Sequence, residues 1–155
     1  MSLAVSVATE DVRLPVSRAR IVDAATRVLR AEQVKEAMLS FAFLTTRAMA
    51  RLNRQHLGHA GATDVISFGF APAGSGAPVV GDVYICPDVA RANAREHGAP
   101  VRQEILRLVV HGTLHVLGHD HPTDDTRARS PMWRRQEQLL ARVLASAPPR
   151  SATRR

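Results

Sequence analysis

The sequence predicts an α+β protein, a single domain in which a small mixed four-stranded sheet carries about five packed helices. Three observations lead there. The chain has 155 residues, enough for one compact core and too few for two ample ones. Segments with strand-like alternation and segments with helical spacing follow one another as strand, helix, strand, helix, two strands, then three helices. No repeat and no linker-like stretch divides them, so residues 1–146 read as one unit and 147–155 as a disordered basic tail.

The elements can be justified in order. "LAVSV" in the first eight residues alternates and suits a strand. From Ser17 to Ala31 the apolar spacing becomes helical, with Ile21, Ala24, Ala25, Val28 and Leu29 on one face and Ser17 as N-cap. Met38 to Thr46 sets Leu39, Phe41 and Phe43 against smaller residues, as a second strand would. Arg47 to Gln55 is a short helix with Ala48, Met49 and Leu52 inward, broken by Gly58 and Gly61. Thr63 to Phe70 is β-branched and aromatic, hence a strand. The turn-rich "APAGSGAP" leads into the strand "VVGDVYIC", which Pro87 ends. Asp88 to His97 is a helix closed by Gly98. Val101 to Leu117 is the longest helical pattern, with Ile105, Leu108, Val109 and Leu114 near one face. Ser130 and Pro131 mark the N-cap and first position of a last helix. It runs to about Ala145, apolar at Trp133, Leu139, Leu140, Val143 and Leu144.

Hydrophobic residues make up 45% of the chain, a globular proportion. The one cysteine, Cys86, leaves no partner for an internal disulfide. With no signal peptide and no apolar span of membrane length, a cytoplasmic location off the membrane is expected. A net charge of +7 and a pI near 11.3 favour a polyanionic partner such as nucleic acid. Aromatic residues are only 4%, so base-stacking surfaces are scarce and weak sequence preference is expected.

The densest chemical signal is "HGTLHVLGHDH", from His111 to His121, which holds four of the chain's seven histidines. Four residues apart on a helix, His111 and His115 differ by about 40° in direction and about 6 Å along the axis, so both rings reach one ion. His119 on a continued helix would lie about 12 Å from His111, too far to share it. Gly118 ends the helix instead, and the chain can then bring His121 back toward the first two. Three neutral imidazoles with an open fourth position describe a catalytic zinc site binding one Zn²⁺. The spacing H-x-x-x-H-x-x-G-x-x-H is that of metzincin peptidases, but Gly112 stands where they carry the glutamate general base. A zinc peptidase is therefore a rival that must find its base elsewhere.

The same stretch resembles the signature of the YbeY family of metal-dependent endoribonucleases, V-H-G-x-L-H-L-x-G-Y-D-H. "LNRQHLGHAGATDVISFGF", "GDVYIC" and "DDTRARSPMWRRQEQLL" are similar to further family segments in the same order. The resemblance implies zinc ligands at His111, His115 and His121, the trio chosen on geometry. It also implies a cytoplasmic nuclease acting on single-stranded RNA, in 16S rRNA 3′-end processing and ribosome quality control with the small subunit as partner. Two positions depart from the family pattern. His119 replaces a tyrosine and is expected to be solvated. Leu57 replaces an arginine to which the family's RNA cleavage is attributed, which keeps open a non-catalytic, ribosome-associated RNA-binding protein. Arg54 and Arg107 are candidate cations for a phosphate, and Asp120 a candidate acceptor for a ring N–H. Thr63 and Asp64 read as polar strand starters, and Glu104 as a helix-surface or capping group.

Overall fold

The computed structural model describes residues 2–70, 76–121 and 126–146. The predicted turn at Ala71 lies only partly within them, and the predicted tail 147–155 lies outside. The elements are β1 (Ser2–Thr9), α1 (Arg18–Ala31), β2 (Glu36–Phe43), α2 (Thr46–Leu57), β3 (Val65–Phe70), β4 (Val79–Ile85), α3 (Pro87–His97), α4 (Val101–Val116) and α5 (Pro131–Ala145), with a 3₁₀ turn at Arg127–Arg129 before α5. The sheet order is β1-β2-β4-β3, with β1, β2 and β4 parallel and β3 antiparallel to β4. The mixed four-stranded α+β architecture is thus the one the sequence predicts.

Strand alternation decides what each face of the sheet carries. Leu39, Phe41 and Phe43 of β2 and Val83 and Ile85 of β4 point into the main core with α1, α4 and α5. Their neighbours Ile66, Phe68 and Tyr84 point the other way and, with Cys86, seat Met49 of α2 in a smaller cluster. The two faces of β3 and β4 therefore carry different helices.

Two boundaries differ from expectation. β2 ends at Phe43 rather than Thr46 because the Thr45 hydroxyl accepts the Ala48 N–H at 3.1 Å and starts α2. On α5 the buried stripe is Met132, Gln136, Leu139, Leu140 and Val143, with Trp133 half-buried and Leu144 exposed. That stripe follows the i, i+4, i+7, i+8 rule one position earlier than the apolar residues suggested.

The longest helical pattern is more enclosed than one amphipathic face predicts. From Glu104 to Leu114 every residue of α4 except Arg107 is buried. The helix touches α1, α3, α5, β3 and β4. Gly112 explains how it lies so close to the sheet. A Cβ there would stand 2.6 Å from Val83 Cγ1 and 3.2 Å from Ser67 Oγ, so a hydrogen is all the space admits. Gly69 of β3 meets the far end of α4 in the same way, where a Cβ would be 2.8 Å from the Val116 carbonyl oxygen. No helix among the described residues is long and apolar enough to cross a membrane.

Candidate metal centre

The histidines sit at the C-terminal end of α4 and just beyond it. The His119 N–H bonds the Leu114 carbonyl at 3.0 Å, and the Gly118 N–H bonds that of His115 at 2.9 Å. With Gly118 at φ +102°, these two bonds close the helix as a Schellman motif. The chain reverses there, and His121 returns to the helix end. One donor nitrogen from each of His111, His115 and His121 lies within 4.8 Å of the others. The ring centroids are 4.6, 5.2 and 5.0 Å apart.

His119 does not join them, and the expectation that it is solvated is corrected. Its Nε2 lies 2.7 Å from Glu32 Oε1, and Arg135 Nε donates to Glu32 Oε2 at 2.9 Å. Burial works against ionisation of Glu32, but hydrogen bonds from His119 and Arg135 outweigh it and hold the carboxyl below its usual range. This clip ties the turn after α4 to the end of α1 and to α5, and so fixes the approach of His121.

His111 is fixed from α5. Its Nδ1 lies 2.6 Å from Oε1 of Gln136, and both side chains are buried. Which atom of the amide faces the ring follows from its other end. Gln136 Nε2 donates to Glu137 Oε2 at 2.9 Å, and a carboxylate can only accept there. Glu137 in turn receives Arg107 Nε at 3.0 Å, and Arg107 Nη1 donates to Glu104 at 2.9 Å. The amide oxygen therefore faces His111, Nδ1 carries the proton, and Nε2 presents its lone pair. Burial lowers the His111 pKa to about 4, and burial followed by the neighbouring His121 lowers that of His115. Both rings are neutral at pH 7, the state in which imidazole binds a cation. Three nitrogen donors with no thiolate or carboxylate among them suit Zn²⁺.

The other sequence candidates fall elsewhere. Arg107 lines the groove beside His111 but is already ion-paired. It is held between Glu137 and Glu104, which raise its pKa above the usual value although burial opposes this. Glu104 is buried in that pair, not a surface or capping group. Arg54 is exposed on α2, whose buried residues serve the opposite face of the sheet. Asp120 accepts the backbone N–H of His121 at 2.8 Å rather than a ring N–H. Leu57 is exposed. Thr63 and Asp64 precede β3, where Asp64 accepts Asn93 Nδ2 at 3.1 Å. Gln136 was not singled out from the sequence. A polar residue at helical spacing between Met132 and Leu139–Leu140 was the available signal. Beside His111 and Gln136 opens a groove of about 580 Å³ that Arg127 also lines, and the charge of Arg127 adds to what keeps His111 and His115 unprotonated.

A family model described as Endoribonuclease YbeY matches residues 6–144. The chain belongs to that family. Endoribonuclease YbeY of Frankia alni is 37% identical over 150 residues, covering 90% of this chain and 82% of that protein. The Bacillus licheniformis YbeY is 31% identical over 153 residues, covering 92% and 96%. The solution structure of TM1509 from Thermotoga maritima shares the fold, with a TM-score of 0.58 at 21% identity over 97% of this chain and 99% of that one. Membership in the YbeY family places the chain among endoribonucleases, which are hydrolases. The peptidase rival loses ground, since the position of its base, Gly112, is walled by Val83.

Proposed function

We propose that this chain is a zinc-dependent, single-strand-specific endoribonuclease whose one metal ion is held by His111, His115 and His121. The convergence of three imidazole donors within 4.8 Å, with the His111 tautomer set by Gln136, carries the reading. Bound there, a divalent ion supplies Lewis acidity toward a phosphoryl oxygen and acidifies water. The protein's own part is to present three imidazole nitrogens, hold His111 in place through α5, and gather polyanion with its net charge of +7. Residues 1–146 form the working unit and 147–155 a basic tail. By resemblance to the family, the substrate is the 3′ end of 16S rRNA on the small ribosomal subunit, in the cytoplasm.

The test is metal analysis of the purified protein beside an rRNA cleavage assay with and without chelator. One zinc per chain and cleavage lost on chelation are expected. His115→Ala should lose both metal and cleavage while the far-ultraviolet spectrum is kept. Stoichiometric zinc retained in that variant would overturn the ligand set. RNA binding without metal-dependent cleavage would establish the non-catalytic alternative. A 2′,3′-cyclic phosphate on the product would identify the RNA 2′-hydroxyl as nucleophile, and a 3′-hydroxyl end would identify water.

A further inference from the structure

The groove beside His111 has features that metal binding does not use. Among the described residues it is walled by α3 and α4 on one side and by the 3₁₀ turn and α5 on the other, with His111 and Gln136 in its lining. About 580 Å³ is the size of a small-molecule site rather than a packing defect. The chain's single tryptophan, Trp133, lines it half-buried. So does Arg127, which is exposed.

The charges in the groove are not equivalent. Arg107 is paired with two carboxylates, Glu104 and Glu137, and the Asp64 carboxylate accepts from the Asn93 amide. The Arg127 guanidinium, by contrast, forms no ion pair among the described residues, which leaves it open to an anionic partner. Its backbone is nevertheless fixed. The Arg127 carbonyl accepts the Ser130 hydroxyl at 2.8 Å, and the Ser130 oxygen accepts the Trp133 N–H at 3.1 Å. Ser130 thus fixes, through these two main-chain contacts, the backbone from which the guanidinium and the indole project.

We propose that this groove is a nucleotide subsite, taking one nucleotide of the RNA strand with its base stacked on Trp133 and its phosphate on Arg127. The proposal rests on the endoribonuclease reading for its substrate class. A base stacked on an aromatic ring is a sequence-tolerant contact, and guanidinium is suited to phosphate. The site gives this chain a stacking surface next to its imidazoles despite the scarcity of aromatic residues, and a cation that does not depend on the position of Leu57.

The single tryptophan makes the test direct. Metal-free wild-type protein is titrated with adenosine 5′-monophosphate and, separately, with ribose 5-phosphate, following indole fluorescence. Saturable quenching by the nucleotide and none by the sugar phosphate is expected, with Arg127→Ala weakening the nucleotide at least about fivefold. In RNA cleavage, Trp133→Leu should raise KM at least about fivefold with kcat largely kept, and Trp133→Phe should recover most of the loss. Unchanged wild-type fluorescence up to millimolar nucleotide overturns the subsite whether or not any variant folds. An unchanged KM in Trp133→Leu, with wild-type cleavage intact, also overturns it and leaves the ribonuclease reading standing. Quenching by the nucleotide in a wild-type protein that cleaves no RNA supports the subsite and overturns the ribonuclease reading.

Discussion

Replacing Gln136 by leucine should weaken zinc binding by about 10- to 100-fold without unfolding the protein. The magnitude follows from two independent routes. Gln136 Oε1 is the hydrogen-bond partner of His111 Nδ1, at 2.6 Å in a buried setting. Leucine fills a similar volume but accepts nothing, so the ring must either keep a buried N–H without a partner or move the proton to Nε2, where it blocks the metal. A buried donor left unpaired costs about 1–3 kcal/mol. Loss of an outer-shell partner to a ligating histidine costs 10–100-fold in affinity, about 1.4–2.8 kcal/mol, so the two figures agree. The assay is competition for zinc against a fluorescent chelator, with thermal unfolding of both proteins in chelator to show that the fold is retained. A zinc affinity for Gln136→Leu within threefold of wild type, in a folded protein, would refute the claim that α5 prepares His111.

Three further predictions concern the frame around the site. Gly112→Ala should destabilise by about 1–2 kcal/mol even though alanine favours a helix, because its Cβ would be 2.6 Å from Val83 Cγ1. Adding Val83→Ala should recover part of the loss in a denaturant titration, and a single variant as stable as the parent would count against the tight α4–sheet contact. Arg107→Leu leaves Glu104 buried without its cation and should cost about 3–5 kcal/mol, a fall in Tm of the order of 10 °C. Removing Glu104 in the same chain should return much of it, and additivity of the two losses would argue that the pair is not coupled. In chelator, stability should rise with pH from about 4 to 6.5. The folded His111 binds fewer protons than the unfolded one across that window, so acid favours unfolding. The gap between 6.5 and about 4 corresponds to about 3 kcal/mol. His111→Asn should show a shallower slope in denaturant melts at successive pH values.

What could be read from the sequence, and what could not, separates by the range of the interaction. The β2 alternation of Leu39, Phe41 and Phe43, the α1 stripe and the Ser130–Pro131 helix start are local patterns, and the fold keeps them. The convergence of the three histidines is readable for the same reason, because four-residue helical spacing and a glycine stop act within eleven residues. The end of β2 was misplaced because Thr46 suits a strand by type, yet it follows a threonine that caps. Misreadings of the charged residues have another cause. Glu104 and Arg107 stand at a helical pair spacing, but only the arrival of α5, with Glu137, turns that surface pattern into a buried network. The same holds for Gln136 and for His119, whose partner Glu32 is 87 residues away. Contacts between distant segments leave no periodicity to detect.

Ribosomes deliver this chain from its amino end, so α4 emerges before α5. Until Gln136 and Glu137 are delivered and docked, nothing sets which ring nitrogen of His111 carries its proton. A nascent or C-terminally clipped chain would hold the three histidines yet lack their final preparation. Preparation of His111 thus waits on the docking of α5, the helix that carries Gln136 and Glu137.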